Sequence, residues 1–289
     1  RQIGENDQLP DALEAYQAVR EVEYLKLQNA ARNSTEWFEN LARYLPFPDV
    51  QFAYSLLTRS QRVSHENLRL RDKEWLEGVE RWFAREEGSN RPPTPPMFTP
   101  YKLRGLELAN RIVVSPMFMY SARDGVPGYV HLVHYGARAQ GGAGLIYTEM
   151  TNVEPRGLIT PGCTGIWNQQ QADAWKKIVD FVHASTSAKF CLQLGHAGIK
   201  ASTGLPWECA FEDEPLPEGN WEIVGPTADP WSERNAAPKP MDRAEMDAVI
   251  AAYLNSVELA KGCGFDMLEL HCGHGYLLSS FLTPAMNKR

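Results

Sequence analysis

Phe265-Asp266-Met267-Leu268-Glu269-Leu270-His271-Cys272-Gly273-His274-Gly275-Tyr276 is the stretch whose reading decides the fold. Apolar residues through Leu270 read as a buried strand, and the glycine- and histidine-rich run after it reads as the loop by which such a strand opens onto a site. His271 and His274 can both aim N–H donors at one oxygen, with the Tyr276 hydroxyl at hand as a proton source. Two other readings fit the same residues: core histidines satisfied by backbone partners, or two imidazole ligands of a zinc ion. Zinc needs a third ligand, and no Glu fills the helper position of an HExxH motif; no metal is expected.

Working outward from that loop, strands are expected at 112–117, 144–150, 190–194 and 267–270, alternating with helices at 175–183 and 244–260. Asp242 and Glu245 form a capping box for the last of these helices. Polar or special residues close every strand: Ser115-Pro116-Met117, then Glu149, then Gln193 and His196, then His271 and His274. Side chains donated from one end of successive parallel strands describe the active face of a (β/α)8 barrel. The fold class read here is therefore α/β, a partial (β/α)8 TIM barrel of about the first four strands, preceded by a helical N-terminal segment. The stretch 197–241 is proline-rich and carries Trp207, Trp221 and Trp231, which fits an active-site lid better than a plain connector.

Upstream, residues 1–88 are helical in character. Leu13, Tyr16, Val19 and Val22 make one apolar stripe, and Trp37, Phe38, Leu41, Tyr44 and Leu45 make a second whose helix Asn33 and Glu36 would cap. Asp72 precedes a compact amphipathic helix bearing Trp75, Leu76, Val79, Trp82 and Phe83. Pro92-Pro93-Thr94-Pro95-Pro96 cannot continue a helix, so 89–96 reads as a stiff linker between a helical part, 1–88, and a βα part, 97–289.

With 289 residues and 43% hydrophobic content, the chain can bury a large core. A net charge of −7 without basic runs argues against a nucleic-acid partner. No apolar run approaches the roughly 20 residues that span a bilayer, and Arg1-Gln2-Ile3-Gly4-Glu5 does not read as a signal peptide, so no membrane partner is expected. Cys163, Cys191, Cys209, Cys263 and Cys272 are odd in number and form no CxxC, which fits reduced thiols in a cytoplasmic enzyme. The start without Met and the end just past a strand-loop-helix pattern are read as the marks of a fragment. A homo-oligomer is compatible with all of this.

Several motifs in order carry a resemblance. Met97-Phe98-Thr99-Pro100-Tyr101, Asn110-Arg111-Ile112-Val113-Val114-Ser115-Pro116-Met117, Gln193-Leu194-Gly195-His196-Ala197-Gly198 and Glu269-Leu270-His271-Cys272-Gly273-His274-Gly275-Tyr276-Leu277-Leu278 resemble the Old Yellow Enzyme family of NADH:flavin oxidoreductases over 97–289. More briefly, Leu27-Gln28-Asn29-Ala30-Ala31-Arg32-Asn33-Ser34 and the run from Phe52 to Arg62 are similar to the last part of the flavin monooxygenase half of bifunctional salicylyl-CoA 5-hydroxylase and anthraniloyl-CoA monooxygenase/reductase proteins.

The resemblance implies a barrel that binds FMN at its carboxyl face, takes hydride from NAD(P)H and passes it to an α,β-unsaturated carbonyl, here an enone or an aryl-CoA-derived substrate. By position it implies that Ser115, Pro116, Met117 and Phe118 line the flavin, Met150 closes beneath it and Gln193 bonds its pyrimidine edge. His271 and His274 would then hold the carbonyl oxygen, Tyr120 would contact substrate, and Tyr276 would donate the proton. Phe118 departs from the small or polar residue common among relatives, which removes a side-chain hydrogen bond to the flavin. FAD would belong only to an upstream domain, since these residues contain no G-x-G-x-x-G. Two alternatives stay open: a stand-alone ene or dienoyl-CoA reductase, and a non-catalytic interaction module on a degenerate barrel. Intact His271, His274 and Tyr276 argue against degeneracy, because fixed N–H donors stabilise the anionic oxygen of hydride addition more than its ground state.

Overall fold

The computed structural model describes residues 8–289; the reading of Arg1–Glu5 as no signal peptide lies outside them. The chain divides into two compact units, Arg1–Thr99 and Pro100–Arg289. That division falls just after the proline-rich run read as a linker over 89–96. Pro96–Phe98 coil into a 3-10 turn within the first unit, since proline's fixed φ suits the first residue of a helical turn.

In the first unit, helices α1 (Leu9–Glu39), α2 (Leu41–Tyr44), α3 (Asp49–Thr58), α4 (His65–Arg71) and α5 (Lys73–Glu86) follow one another. The cap expected at Asn33 and Glu36 does not form, because α1 runs straight through it; Arg32 instead pairs with Glu36 one turn on at 2.8 Å, which favours continuation. The stripe Leu13, Tyr16, Val19 and Val22 is helical as spaced, yet exposed. Spacing sets the face and says nothing about whether a neighbour covers it. Asp72 caps α5 through a bond from the Trp75 amide at 2.9 Å, and Leu76 and Val79 are buried on the face below.

The second unit opens with an antiparallel hairpin, β1 (Tyr101–Leu103) and β2 (Leu106–Leu108). Parallel strands then alternate with helices: β3 (Val113–Val114), α6 (Tyr129–Gln140), β4 (Leu145–Tyr147), β5 (Thr151–Asn152), α7 (Gln169–Ser185) and β6 (Lys189–Gly195). After the two-residue pair β7 (Val224–Gly225) and β8 (Lys239–Pro240) come α8 (Arg243–Cys263), β9 (Met267–Leu270) and α9 (Leu277–Leu282). The expected strand 112–117 shrinks to two residues, because Pro116 has no N–H for a ladder. The expected strand 144–150 is shortened to β4, and the separate β5 just beyond it pairs with the same partner, β6.

Strands β3, β4, β6 and β9 lie side by side in chain order, all parallel, with α6 against α7 and α7 against α8. Chain order without reversal is the winding of a barrel wall and not of a doubly wound sheet. Alternation along β6 sends Phe190, Leu192 and Leu194 into the core with Tyr135, Trp175 and Val179 of the helices. Cys191 faces the other way, with Leu145, Met267 and the hairpin residues Leu106 and Leu108. The Asp242–Glu245 capping box starts α8, and Gly264 ends it in the left-handed region at φ 88°, where a side chain would be strained. β9 pairs with β6 on one side only, and its Leu268 and Leu270 are 37% and 55% exposed. Among the described residues no helix is long and apolar enough to cross a membrane.

Candidate functional site

The register Gln193↔Glu269 and Leu194↔Leu270 brings the carboxyl ends of β6 and β9 to one level, and the His271 amide extends the pairing to Leu194 O at 2.8 Å. Beyond it the backbone turns sharply: His274 sits at φ 59° and Gly275 at φ 75°. A histidine there is unusual and marks a constrained turn. The turn returns the chain to β6, where the Leu277 amide bonds His196 O at 3.0 Å. Gly198 makes that contact possible, since a Cβ on it would lie 2.8 Å from Leu277 Cα.

This path gathers three rings. The centroid of His271 lies 4.9 Å from that of His274 and 4.9 Å from that of Tyr276, with His274 and Tyr276 at 6.2 Å. His271 is buried, and burial, followed by the neighbouring His274, lowers its pKa from the ordinary 6.5. Its Nδ1 accepts from the Gly273 amide at 3.3 Å, so the neutral ring carries its proton on Nε2, which faces His274 Nδ1 at 2.9 Å. The structure thus brings the pair together, but spends the His271 N–H within the pair, where the sequence reading had both N–H groups converging on an outside oxygen. One donor, His274 Nε2–H, is left for a ligand. A second becomes available when an acceptor replaces His274 Nδ1.

Tyr276 packs with Met150, Cys163 and Ala197, and Phe118 and Tyr120 lie against the same cluster. Burial above all, then the neighbouring Tyr120, raises the Tyr276 pKa well above that of a free phenol, so the hydroxyl keeps its proton. The Tyr120 phenol is raised in the same way, burial first. Phe118 and Tyr120 stack with centroids 5.1 Å apart and planes 5° from parallel. The stretch expected as a lid comes close here: Lys200 Nζ lies 4.0 Å from the Trp231 ring and 5.9 Å from that of Tyr276.

At the strand end below, Gln193 donates from Nε2 to Glu269 Oε1 at 2.6 Å, while its amide oxygen has no partner among the described residues. Met150 is fully buried, and a Cβ on Gly195 would come 2.3 Å from its Sδ, so the end of β6 lies flat on the thioether. Ser115 and Met117 stand exposed and Pro116 half-buried after β3; none of the three makes a ring contact or hydrogen bond with the histidine pair. An open amide oxygen that can accept from an N–H, beside a flat apolar floor, is the acceptor and shape that suit the pyrimidine edge of a flavin. The residues present therefore fit that group.

Sequence reasoning assigned no role to a buried network behind this site. Glu149 accepts from the Met119 amide at 2.7 Å through Oε2 and pairs with His131 Nε2 at 2.9 Å through Oε1; its own amide donates to Tyr135 Oη at 2.8 Å. His131 and Glu149 are both fully buried. The network fixes the backbone between Phe118 and Tyr120. Its one sequence signal was the spacing of His131 and Tyr135, four apart on one face of α6.

A singly wound parallel sheet with ring donors, a protonated phenol and an open amide at its carboxyl edge is the arrangement of a barrel-type fold with its polar groups at one face. The chain belongs to the NADH:flavin oxidoreductase / NADH oxidase family, whose model matches residues 96–289. It is 40% identical over 195 residues to an NADPH dehydrogenase of Listeria monocytogenes serotype 4a (strain HCC23), covering 67% of this chain and 53% of that protein. An NADPH dehydrogenase of Geobacillus sp. (strain WCH70) is 38% identical over 195 residues, covering 67% and 52%. Among solved structures, morphinone reductase is similar with a TM-score of 0.59 and 29% identity, over 68% of this chain and 52% of that one. Old Yellow Enzyme from Pichia sp. AKU4542 is similar with a TM-score of 0.59 and 30% identity, over 67% and 50%. The chain spans about half the length of the curated relatives it matches.

Proposed function

We infer that this chain is the front part of a (β/α)8 barrel that binds FMN, takes electrons from NAD(P)H and reduces an α,β-unsaturated carbonyl. The observation that carries the reading is the His271–His274 pair at 2.9 Å with the Tyr276 ring beside it, set at the carboxyl edge of a parallel sheet. Bound FMN supplies the hydride. Gln193 offers its free amide oxygen to the pyrimidine edge, Met150 and the end of β6 give the floor, and the segment from Ser115 to Phe118 closes the side. His274 donates to the substrate carbonyl oxygen, and His271 joins it once that oxygen replaces the ring nitrogen it now faces. These donors strengthen as negative charge grows on the oxygen, so they lower the barrier more than they tighten binding. Tyr276, kept protonated by burial, delivers its Oη proton to the carbon next to the carbonyl.

The wider setting, a bifunctional aromatic acyl-CoA monooxygenase/reductase with an FAD site upstream, rests on the motifs at 27–34 and 52–62. A small enone or dearomatised aryl-CoA is the substrate class in that setting.

The test is stopped-flow kinetics on the FMN-loaded oxidoreductase that carries this chain. His274→Ala should slow flavin reoxidation by enone on the order of 10²-fold or more, and should leave flavin reduction by nicotinamide nearly unchanged. Equal loss in both half-reactions, or in neither, would mean that the pair is structural.

A further inference from the structure

The helical unit holds a cavity of 660 Å³ that the oxidoreductase chemistry does not use. Val79, Trp82 and Phe83 of α5 form one part of its wall, and Pro96, Met97 and Phe98 of the 3-10 turn form another. That volume and apolar lining suit a compact organic molecule. Tyr54 and His65 also stand in the wall.

Behind them a line of hydrogen bonds runs inward. Tyr54 Oη lies 3.0 Å from His65 Nδ1, and His65 Nε2 lies 2.9 Å from Glu80 Oε1. Glu80 is fully buried and is also bonded by Arg69 Nη2 at 2.5 Å. Burial pushes its carboxyl up, but the bonds from Arg69 and His65 outweigh that and hold it below its ordinary range. An ionised Glu80 can only accept, so the proton on His65 sits at Nε2. In the neutral ring with its proton at Nε2, His65 presents Nδ1 as a lone pair. Tyr54 must then turn its O–H inward to Nδ1, and its phenolic oxygen at the cavity wall is left as an acceptor. Glu66 and Glu86 at the mouth disfavour anions.

We propose that this cavity is a ligand site for a neutral, flat aromatic molecule bearing a hydroxyl or amino donor. The ring lies against Trp82, Phe83 and Phe98, and the donor bonds the Tyr54 oxygen. The acceptor polarity set by Glu80 disfavours ligands whose one polar group is itself an acceptor, which keep only the contact of their rings.

Calorimetric titration of the chain with 2-naphthol and 2-methoxynaphthalene tests this, because the two differ in the donor and little in ring area. 2-Naphthol should bind roughly tenfold tighter, the worth of one hydrogen bond. Tyr54→Phe should erase that preference while leaving the weaker binding of the methoxy compound in place. Trp82→Ala should remove both, and Phe98→Ala, at a half-exposed position, should weaken both. Equal affinities in the unaltered chain, a preference that survives Tyr54→Phe, or no binding would each overturn the proposal. So would binding that is lost in His274→Ala but kept in Trp82→Ala, which would put the ligand in the barrel unit.

Discussion

Replacing His131 by Phe keeps an aromatic ring of similar size in the core and removes both ring nitrogens, so it isolates the buried network behind the site. Two bonds disappear: the one from the Gly128 amide at 3.0 Å and the one to Glu149 at 2.9 Å. Gly128 is exposed, and water can take over its amide at little cost. Glu149 is fully buried, so its Oε1 is stranded. A stranded buried polar group costs about 1–3 kcal/mol, more when charged, which puts the loss at about 3 kcal/mol. Against a total stability of about 5–15 kcal/mol this is readily measured. Urea unfolding at pH 7, followed by circular dichroism and tryptophan emission, reads it; Trp175, fully buried with its ring 6.3 Å from His131, reports locally. In a Glu149→Leu background no carboxylate is left to strand, so His131→Phe should cost about 2 kcal/mol less than in the native sequence. A loss below about 1 kcal/mol, or strictly additive effects in the cycle, would refute the idea that the pair anchors this region. Exchange of the Met119 amide, which Glu149 holds at 2.7 Å, should quicken in the same variant.

Two further outcomes follow from close packing and from burial. Gly195→Ala should destabilise the chain by about 1–3 kcal/mol through overpacking, and Met150→Ala should relieve much of that cost, because the added Cβ meets Met150 Sδ at 2.3 Å; thermal melts of the two single variants and the double variant decide it. His271 has its pKa lowered from 6.5, so the unfolded chain binds a proton there that the folded chain refuses; stability is full above 6.5 and falls as pH drops below it towards the lowered value. His271→Asn should flatten that part of the stability profile measured between pH 7.5 and 5.5, and an unchanged slope would show that the imidazole is not the group responsible.

Local chemistry with one physical solution was legible in the sequence. Asp242 and Glu245 form the capping box that their spacing specifies, Asp72 caps α5, and β9 spans the residues read as a strand. What was not legible depends on what lies across space. Asn33 and Glu36 have cap spacing, but an Arg32–Glu36 pair inside a long run of helix formers overrides it. The strand expected at 112–117 is cut short by Pro116 and the one at 144–150 ends at Tyr147, because ladder length depends on the partner strand. Within the site, the grouping of His271, His274 and Tyr276 could be read from one loop. Their tautomers could not: the Gly273 amide sets where the proton on His271 resides, and only the backbone turn shows it. The His131–Glu149 pair was invisible for a similar reason, its members being eighteen residues apart and joined only by the packing of α6 on the sheet.

The one-sided pairing of β9 has a consequence for handling the chain. Its outer edge presents a row of backbone amides and carbonyls with half-exposed leucines beside them, and the strand carries no proline, lysine or bulge to deter a newcomer. Such an edge is a template on which another strand can seat. Self-association of the isolated chain should therefore rise with concentration, and a Lys at position 270 should suppress it, since a charge on a strand edge blocks edge-to-edge growth at no cost to the core.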